Sequence, residues 1–200
     1  MDPGNPVVTC YTDFICPWCY IGDIYLQEAR KTIAFEVNYV MFPLHPDTPE
    51  GGITLETLFH GRNVDITGTQ KQIREKAHRL GLPYAIRTHT YNSRNAQLIG
   101  KAMTREGVFE KYKTAVFNKY FAEGCNIGSA QVLQQILDSL DPKLPSAVTL
   151  INDPQLHSEL ERDWKYCRLN KIRAVPAFQF EDRYCVGAQP SANILQLFDC

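Results

Sequence analysis

The spacing of hydrophobic and polar residues changes twice near the start of the chain. Residues 6–12 are apolar and β-branched, which predicts a buried strand that ends at Asp13. From Pro17 onward, apolar residues recur at helical spacing with polar residues between them, which predicts an amphipathic helix. Residues 35–42 begin with an apolar and polar alternation and predict a second strand. Strand, helix and strand together predict a βαβ unit.

The middle of the chain has helical periodicity and no strand pattern. Candidate helices lie near 54–60, 67–80, 93–105, 107–122 and 129–139. After this segment the sequence predicts a helix over 153–170, strands over 177–181 and 184–187 joined at Asp182-Arg183, and a helix after Pro190. We therefore predict an α/β fold in which residues 1–50 and 150–200 form one discontinuous βαβ-ββα domain. Residues 51–149 are predicted to be an all-helical insertion domain.

Two cysteines flank a proline and a tryptophan where the first strand meets the first helix. Cys16 is predicted at the N-cap and Pro17 at the first helical position, where a missing N–H costs nothing. Free backbone N–H groups and the helix dipole favour a thiolate at that end, which predicts that Cys16 is the nucleophile. Cys19 lies one turn later on the same face, at a separation that a disulfide can span. We therefore predict that Cys19 is the resolving thiol.

Other interpretations of this cysteine pair are weaker. A zinc site generally needs a second pair of Cys or His ligands, and only Cys10 lies near in the sequence, so no metal is predicted. A structural disulfide that closes so short a loop would restrain the unfolded chain little. Trp18 either covers core surface or shapes the apolar surroundings of the reactive thiol.

Composition and charge narrow the function classes further. The net charge of -1 and the lack of a long basic run argue against a nucleic-acid or membrane-surface partner. No Lys or Arg precedes Arg30, and no apolar run approaches the ~18 residues of a membrane span, so we expect a cytoplasmic protein. The seven cysteines are an odd number and should be mostly free thiols in a reducing compartment. A redox or metal role therefore suits the close pair better than a scaffolding role.

Several motifs extend the argument beyond the cysteine pair. They are Asp13-x-x-Cys16-Pro17-Trp18-Cys19-Tyr20-Ile21-Gly22, Phe42-x-Leu44-x-Pro46-Asp47, Ala174-Val175-Pro176 and Gly187-Ala188-Gln189-Pro190. Over nearly its whole length the chain resembles the DsbA-like branch of the thioredoxin superfamily, and within it the FrnE-like subgroup. The resemblance implies a thioredoxin-like fold and a dithiol-disulfide oxidoreductase or isomerase that acts on protein or small-molecule disulfides. It implies no bound cofactor and makes glutathione a candidate redox partner or cosubstrate.

A second function stays open on the same resemblance. Relatives without the cysteine pair use glutathione for other chemistry, among them the 2-hydroxychromene-2-carboxylate isomerases and the kappa-class glutathione transferases. In that interpretation the CxxC is incidental, and a pocket under the helical insertion binds a small aromatic substrate. The presence of both cysteines favours thiol exchange.

The resemblance also implies a set of substrate-binding residues. In thioredoxin-like folds a cis-proline loop faces the CxxC, which would let the backbone of Val175, before Pro176, pair with substrate. His45 stands where Asn is common and is either a base or charge partner or a solvated loop residue. Asn92 matches a subgroup motif, whereas Gln97 replaces a usual His, and the roles of Cys125 and Cys185 stay open. The predicted substrate-binding residues are Pro17, Trp18, His45, Asn92, Val175 and Pro176.

Overall fold

A mixed four-stranded sheet forms the base of the molecule. The computed structural model describes residues 5–141 and 143–199. The strands in these ranges are β1 (Val7–Thr12), β2 (Glu36–Met41), β3 (Ile53–Thr54), β4 (His89–Thr90), β5 (Ala177–Phe180) and β6 (Arg183–Val186). The main sheet has the order β2-β1-β5-β6, with β1 parallel to β2 and antiparallel to β5. Strands from both ends of the chain therefore meet at β1, as the discontinuous βαβ-ββα arrangement predicts.

Helices account for most of the remaining described chain. They are α1 (Pro17–Thr32), α2 (Leu55–Leu58), α3 (Ile66–Arg79), α4 (Arg94–Arg105), α5 (Phe109–Phe117), α6 (Ala130–Leu140), α7 (Ala147–Ile151), α8 (Pro154–Leu169) and α9 (Ser191–Leu195). A π-helical segment, Asn118–Ala122, continues α5, and a short 3₁₀ segment, Gln196–Phe198, follows α9. Every predicted helix is confirmed, and α7 is additional because its five residues are too few to show a period.

The expectation that the middle of the chain lacks strands is wrong at one place. Strands β3 and β4 form a small antiparallel pair in which Ile53 lies opposite Thr90. Each is only two residues long, so neither can show an alternating pattern. The turn between β5 and β6 also shifts by one residue, to Glu181-Asp182, because β6 already begins at Arg183.

A buried lysine joins the helical segment to the main sheet. Lys113 of α5 is 1% exposed, and its Nζ lies 2.5 Å from carboxylate oxygens of both Asp23 in α1 and Glu110. The same Nζ donates to the hydroxyl of Tyr39 in β2 at 2.8 Å. Because a buried charge is tolerated only with such partners, this cluster fixes α5 against α1 and β2. The division into domains at 50/51 and 149/150 stays a prediction.

Candidate active site

Cys16 lies immediately before α1, at the N-cap position that the sequence predicts. Its backbone is extended, with φ −83° and ψ 113°, and Pro17 is the first helical residue. Its backbone N–H donates to the carbonyl oxygen of Asp13 at 3.1 Å, which closes a tight turn between β1 and α1. Its Sγ donates to the carbonyl oxygen of Val175 at 3.4 Å. The helix start and the Val175-Pro176 loop therefore meet at the Cys16 thiol.

Cys19 lies one turn further along α1 and is buried away from the cavity that Cys16 lines. It is 2% exposed, and its backbone N–H donates to the Cys16 carbonyl oxygen at 3.0 Å. Burial raises the pKa of the Cys19 thiol well above its ordinary value, and hydrogen bonding and charge from Cys16 raise it further. Both thiols are free in the structure. Cys16 is itself only 3% exposed, so the two cysteines differ in that Cys16 alone lines the cavity, which is the difference that their predicted roles require.

The turn that holds Cys16 is braced by a buried carboxylate. Asp13 Oδ1 accepts from the backbone N–H of Ile15 at 3.1 Å, and its Oδ2 accepts from the N–H of Leu44 at 2.9 Å. Asp13 is fully buried, and this burial raises the pKa of its carboxyl group to about 6 although the hydrogen bonds oppose the shift. The carboxylate therefore ties the turn before α1 to the loop that carries His45.

The Val175–Pro176 peptide bond is cis, as the family resemblance implies. The proline ring packs against Gly22 of α1, where an added Cβ would lie 2.7 Å from Pro176 Cγ. Only a residue without a side chain permits this approach. Gly22, which the sequence motif contains without any assigned role, therefore sets the distance between α1 and the loop.

A cavity of about 330 Å³ opens beside the Cys16 thiol. Its lining includes the predicted residues Pro17, Trp18, His45 and Val175. The opposite wall comes from the helical segment and consists mainly of the apolar residues Leu55, Leu58, Phe59, Val64, Ile66 and Ile73. The volume is in the range of small-molecule sites, and an apolar lining with few polar groups is typical of them.

Two of the predicted binding residues lie outside this lining. Asn92 donates its side-chain amide to the carbonyl oxygens of Pro46 at 3.1 Å and Thr48 at 2.8 Å, which braces the loop after His45. Pro176 faces α1, as described above. A direct contact of Asn92 or Pro176 with substrate stays a prediction.

His45 lies on the cavity wall and is partly buried. Burial, followed by the positive charge of Arg62, lowers the pKa of its imidazole below the ordinary value. A neutral imidazole suits the predicted role of base better than that of a charge partner.

Gln97, at the position where the subgroup usually has His, is fully buried and donates to the Phe42 carbonyl oxygen at 3.0 Å while it accepts from Trp164 Nε1 at 2.8 Å. Its contacts are those of a packing residue.

Arg87 also lines the cavity and was not predicted from the sequence. It lies in the loop between α3 and β4, and its Nη1 donates to the hydroxyl of Tyr120 at 2.6 Å. The loop has no motif or periodicity, so no signal in the sequence connects Arg87 with Cys16. Tertiary packing of the helical segment over the sheet brings the two residues to one cavity.

The remaining cysteines have the surroundings of small apolar residues. Cys10, Cys167 and Cys185 are buried in β1, α8 and β6, and burial raises the pKa of each thiol, that of Cys167 to about 12. Cys125 is partly exposed in a loop, and Cys200 lies outside the described residues. In the described ranges no group of three or more His, Cys, Asp or Glu side chains could hold a metal ion. No helix within residues 5–141 and 143–199 is long and apolar enough to cross a membrane.

The fold and the position of Cys16 define a thioredoxin-fold protein with a CxxC motif and an inserted helical segment. The chain belongs to the family with a DSBA-like thioredoxin domain, whose model matches residues 7–199. The DsbA-like resemblance is thereby confirmed, whereas the FrnE-like subgroup stays a prediction.

Three known proteins are similar to the chain over most of its length. An uncharacterized protein of Bacillus subtilis (strain 168), YwbO, is 25% identical over 90% of both chains. A probable DsbA oxidoreductase from Streptomyces coelicolor, SCO1869, superposes with a TM-score of 0.85 at 20% identity and covers 96% of this chain and 87% of its own. A 2-hydroxychromene-2-carboxylate isomerase superposes with a TM-score of 0.72 at 16% identity and covers 91% and 89%. At these identities the two structures establish the fold.

Proposed function

We propose that the protein is a thiol-disulfide oxidoreductase or isomerase in which Cys16 attacks a disulfide and Cys19 resolves the mixed disulfide. One observation carries the proposal. Cys16 lies at the start of α1 and lines the cavity, whereas Cys19, one turn away, does not line it and has a raised pKa. A thiol that lines the cavity at the positive end of a helix dipole is the better nucleophile.

The exchange proceeds in two balanced steps. The Cys16 thiolate attacks one sulfur of the substrate disulfide, so that a Cys16–substrate bond forms and the other substrate sulfur leaves as a thiolate. Cys19 then gives its proton to the substrate thiolate released in the first step and attacks Cys16 Sγ, which releases the second substrate thiolate and leaves a Cys16–Cys19 disulfide. The substrate gains two electrons, and the cysteine pair loses them. In an isomerase cycle another substrate thiolate would instead attack the substrate sulfur that is bound to Cys16, which forms a new substrate disulfide and releases the Cys16 thiolate.

Replacement of each cysteine by serine distinguishes the two proposed roles. Cys16→Ser should abolish mixed-disulfide formation with oxidised glutathione, whereas Cys19→Ser should accumulate the adduct on Cys16 because no resolving thiol remains. Intact-mass spectrometry after incubation with oxidised glutathione measures both outcomes, and acceleration of insulin reduction by dithiothreitol measures turnover. Cys125→Ser, which removes a partly exposed thiol outside the cavity lining, is the matched control. Equal adducts in the Cys16→Ser and Cys19→Ser proteins would contradict the assignment.

The apolar cavity favours a second candidate, a glutathione-dependent isomerase or transferase of the 2-hydroxychromene-2-carboxylate isomerase or kappa-class type. An aromatic substrate would lie against the wall formed by α2 and α3, and glutathione would lie near Cys16. If this candidate is correct, Cys19→Ser should keep the full rate of glutathione-dependent turnover of an aromatic substrate. If the protein is an oxidoreductase, the same variant should no longer accelerate insulin reduction.

The proposal also includes the substrate, the redox partner, the cellular compartment and the domain boundaries. The substrate is a protein or small-molecule disulfide, and glutathione is the candidate redox partner or cosubstrate, with no resident cofactor. We assign the activity to the cytoplasm, where the many unpaired cysteines would remain reduced. We also assign 1–50 and 150–200 to the thioredoxin-like domain, and 51–149 to an insertion that closes the cavity.

A further inference from the structure

The cavity beside Cys16 contains a partly buried cation without a carboxylate partner. Arg87 Nε donates to the hydroxyl of Tyr84 at 3.4 Å and its Nη1 donates to that of Tyr120 at 2.6 Å. The guanidinium carbon also lies 4.9 Å from the ring centre of Tyr120 and 5.0 Å from that of Phe121. Among residues 5–141 and 143–199, Arg87 takes part in no salt bridge. Neutral hydroxyls and aromatic faces orient the guanidinium but do not neutralise its charge.

The remaining charge in the cavity has the same sign. Arg173 is exposed and also lines the cavity, and the lining contains no aspartate or glutamate. Burial lowers the pKa of Arg87, but the oxygens of Tyr84 and Tyr120 more than offset this effect, so the guanidinium stays charged. A partly desolvated cation on an apolar wall favours an anionic ligand, and a carboxylate matches the planar guanidinium through charge-assisted hydrogen bonds.

We propose that the disulfide on which Cys16 acts is a small molecule with an apolar or aromatic body and a carboxylate, and that Arg87 binds the carboxylate. This inference rests on the proposed function. Arg87 and Cys16 line one cavity of about 330 Å³, so a ligand of small-molecule size can contact both. The carboxylate at Arg87 and the apolar body against α2 and α3 would hold the disulfide beside Cys16 Sγ.

The class of substrate can be tested with a matched pair of probes, 4,4′-dithiodibenzoate and its diamide. The two have the same aromatic disulfide and nearly the same size, and only the first carries carboxylates. Reduced protein reacts in a single turnover, in which Cys16 and Cys19 become a disulfide and two aryl thiolates are released and followed by absorbance. The rate ratio of acid to diamide is divided by the same ratio for 2-mercaptoethanol, which removes the intrinsic reactivity of the probes.

We expect a corrected ratio of about ten or more in the wild type, since a hydrogen bond to a charged group contributes about 1.5–3 kcal/mol and 1.4 kcal/mol is tenfold. Arg87→Met should bring the ratio to about one, and Arg87→Lys should keep part of the preference. Arg173→Met, which removes an exposed cation from the same lining, should keep most of it. Arg79→Met removes an exposed charge of α3 outside the lining and should leave the ratio unchanged.

Two results would overturn the inference while the proposed function stands. The first is a corrected ratio near one in the wild type, a result that does not depend on whether any variant folds. The second is a preference for the acid that remains in Arg87→Met or that disappears in Arg173→Met instead. If the wild type reacts with both probes no faster than Cys16→Ser, the proposed function fails, and this inference fails with it.

Discussion

Replacement of Gly22 by alanine tests whether α1 must contact the Val175-Pro176 loop closely. The new Cβ would lie 2.7 Å from Pro176 Cγ, and a proline ring cannot turn away as a flexible side chain can. Overpacking of this kind costs about 1–3 kcal/mol, whereas alanine in place of glycine within a helix contributes about 1 kcal/mol. The crowding should therefore prevail, and the free energy of unfolding should fall by up to about 2 kcal/mol.

The same substitution should also slow the reaction of Cys16 with oxidised glutathione. If α1 and the loop separate, the 3.4 Å contact between Cys16 Sγ and the Val175 carbonyl oxygen is lost. A misplacement of about 1 Å at a reacting group can reduce a rate by up to about a hundredfold. Urea unfolding measures the first effect, and the rate of adduct formation with oxidised glutathione measures the second.

Gly51→Ala is the matched control for Gly22→Ala. No heavy atom lies within 4 Å of a Cβ built at Gly51, so both measurements should stay at their wild-type values. A Gly22→Ala protein that is about 1 kcal/mol more stable than the wild type and equally fast would refute the reasoning. That result would mean that the helical gain alone decides and that the contact with Pro176 constrains nothing.

Two further predictions concern buried charges. Lys113→Met leaves the carboxylates of Asp23 and Glu110 without their shared cation and should lower the free energy of unfolding by about 3 kcal/mol in urea titrations, whereas Lys119→Met, in an exposed pair, should barely change it. An equal loss in the two variants would contradict the role of the cluster. Burial raises the pKa of Asp13 from 3.8 to about 6, so between these values the native state keeps a proton that the unfolded state has lost. The contribution of Asp13 to stability should therefore fall as the pH rises from 4 to 6, by at most about 1.4 kcal/mol per pH unit. Asp13→Asn should lack that component when unfolding is measured at pH 4, 5, 6 and 7, and identical slopes in the two proteins would exclude it.

The sequence predicts the start of α1 well because the interactions that begin a helix involve residues close together in the chain. Pro17 at the first helical position and Cys16 at the N-cap follow from the strand, turn and helix order alone. The cis bond before Pro176 does not follow from sequence physics, since most X-Pro bonds are trans, and it was predicted only from the family resemblance.

Contacts between distant segments account for what the sequence does not predict. Strands β3 and β4 pair across a separation that no periodicity records, and each is too short to alternate. Arg87 and Tyr84 belong to an irregular loop whose position depends on how the helical segment packs over the sheet. The contact of Gly22 with Pro176 likewise joins two motifs that are visible separately but not as a pair.

The strand order of the main sheet has a consequence for synthesis of the protein. β5 pairs with one edge of β1, so a nascent chain that has not reached residues 177–180 presents that edge unpaired. Unpaired edges invite association with other chains. The hydrogen-bond partner of the Cys16 thiol, the Val175 carbonyl, is 159 positions later, so the ribosome releases Cys16 long before this partner. The local environment of Cys16 is therefore completed only when the last segment of the chain has been synthesised.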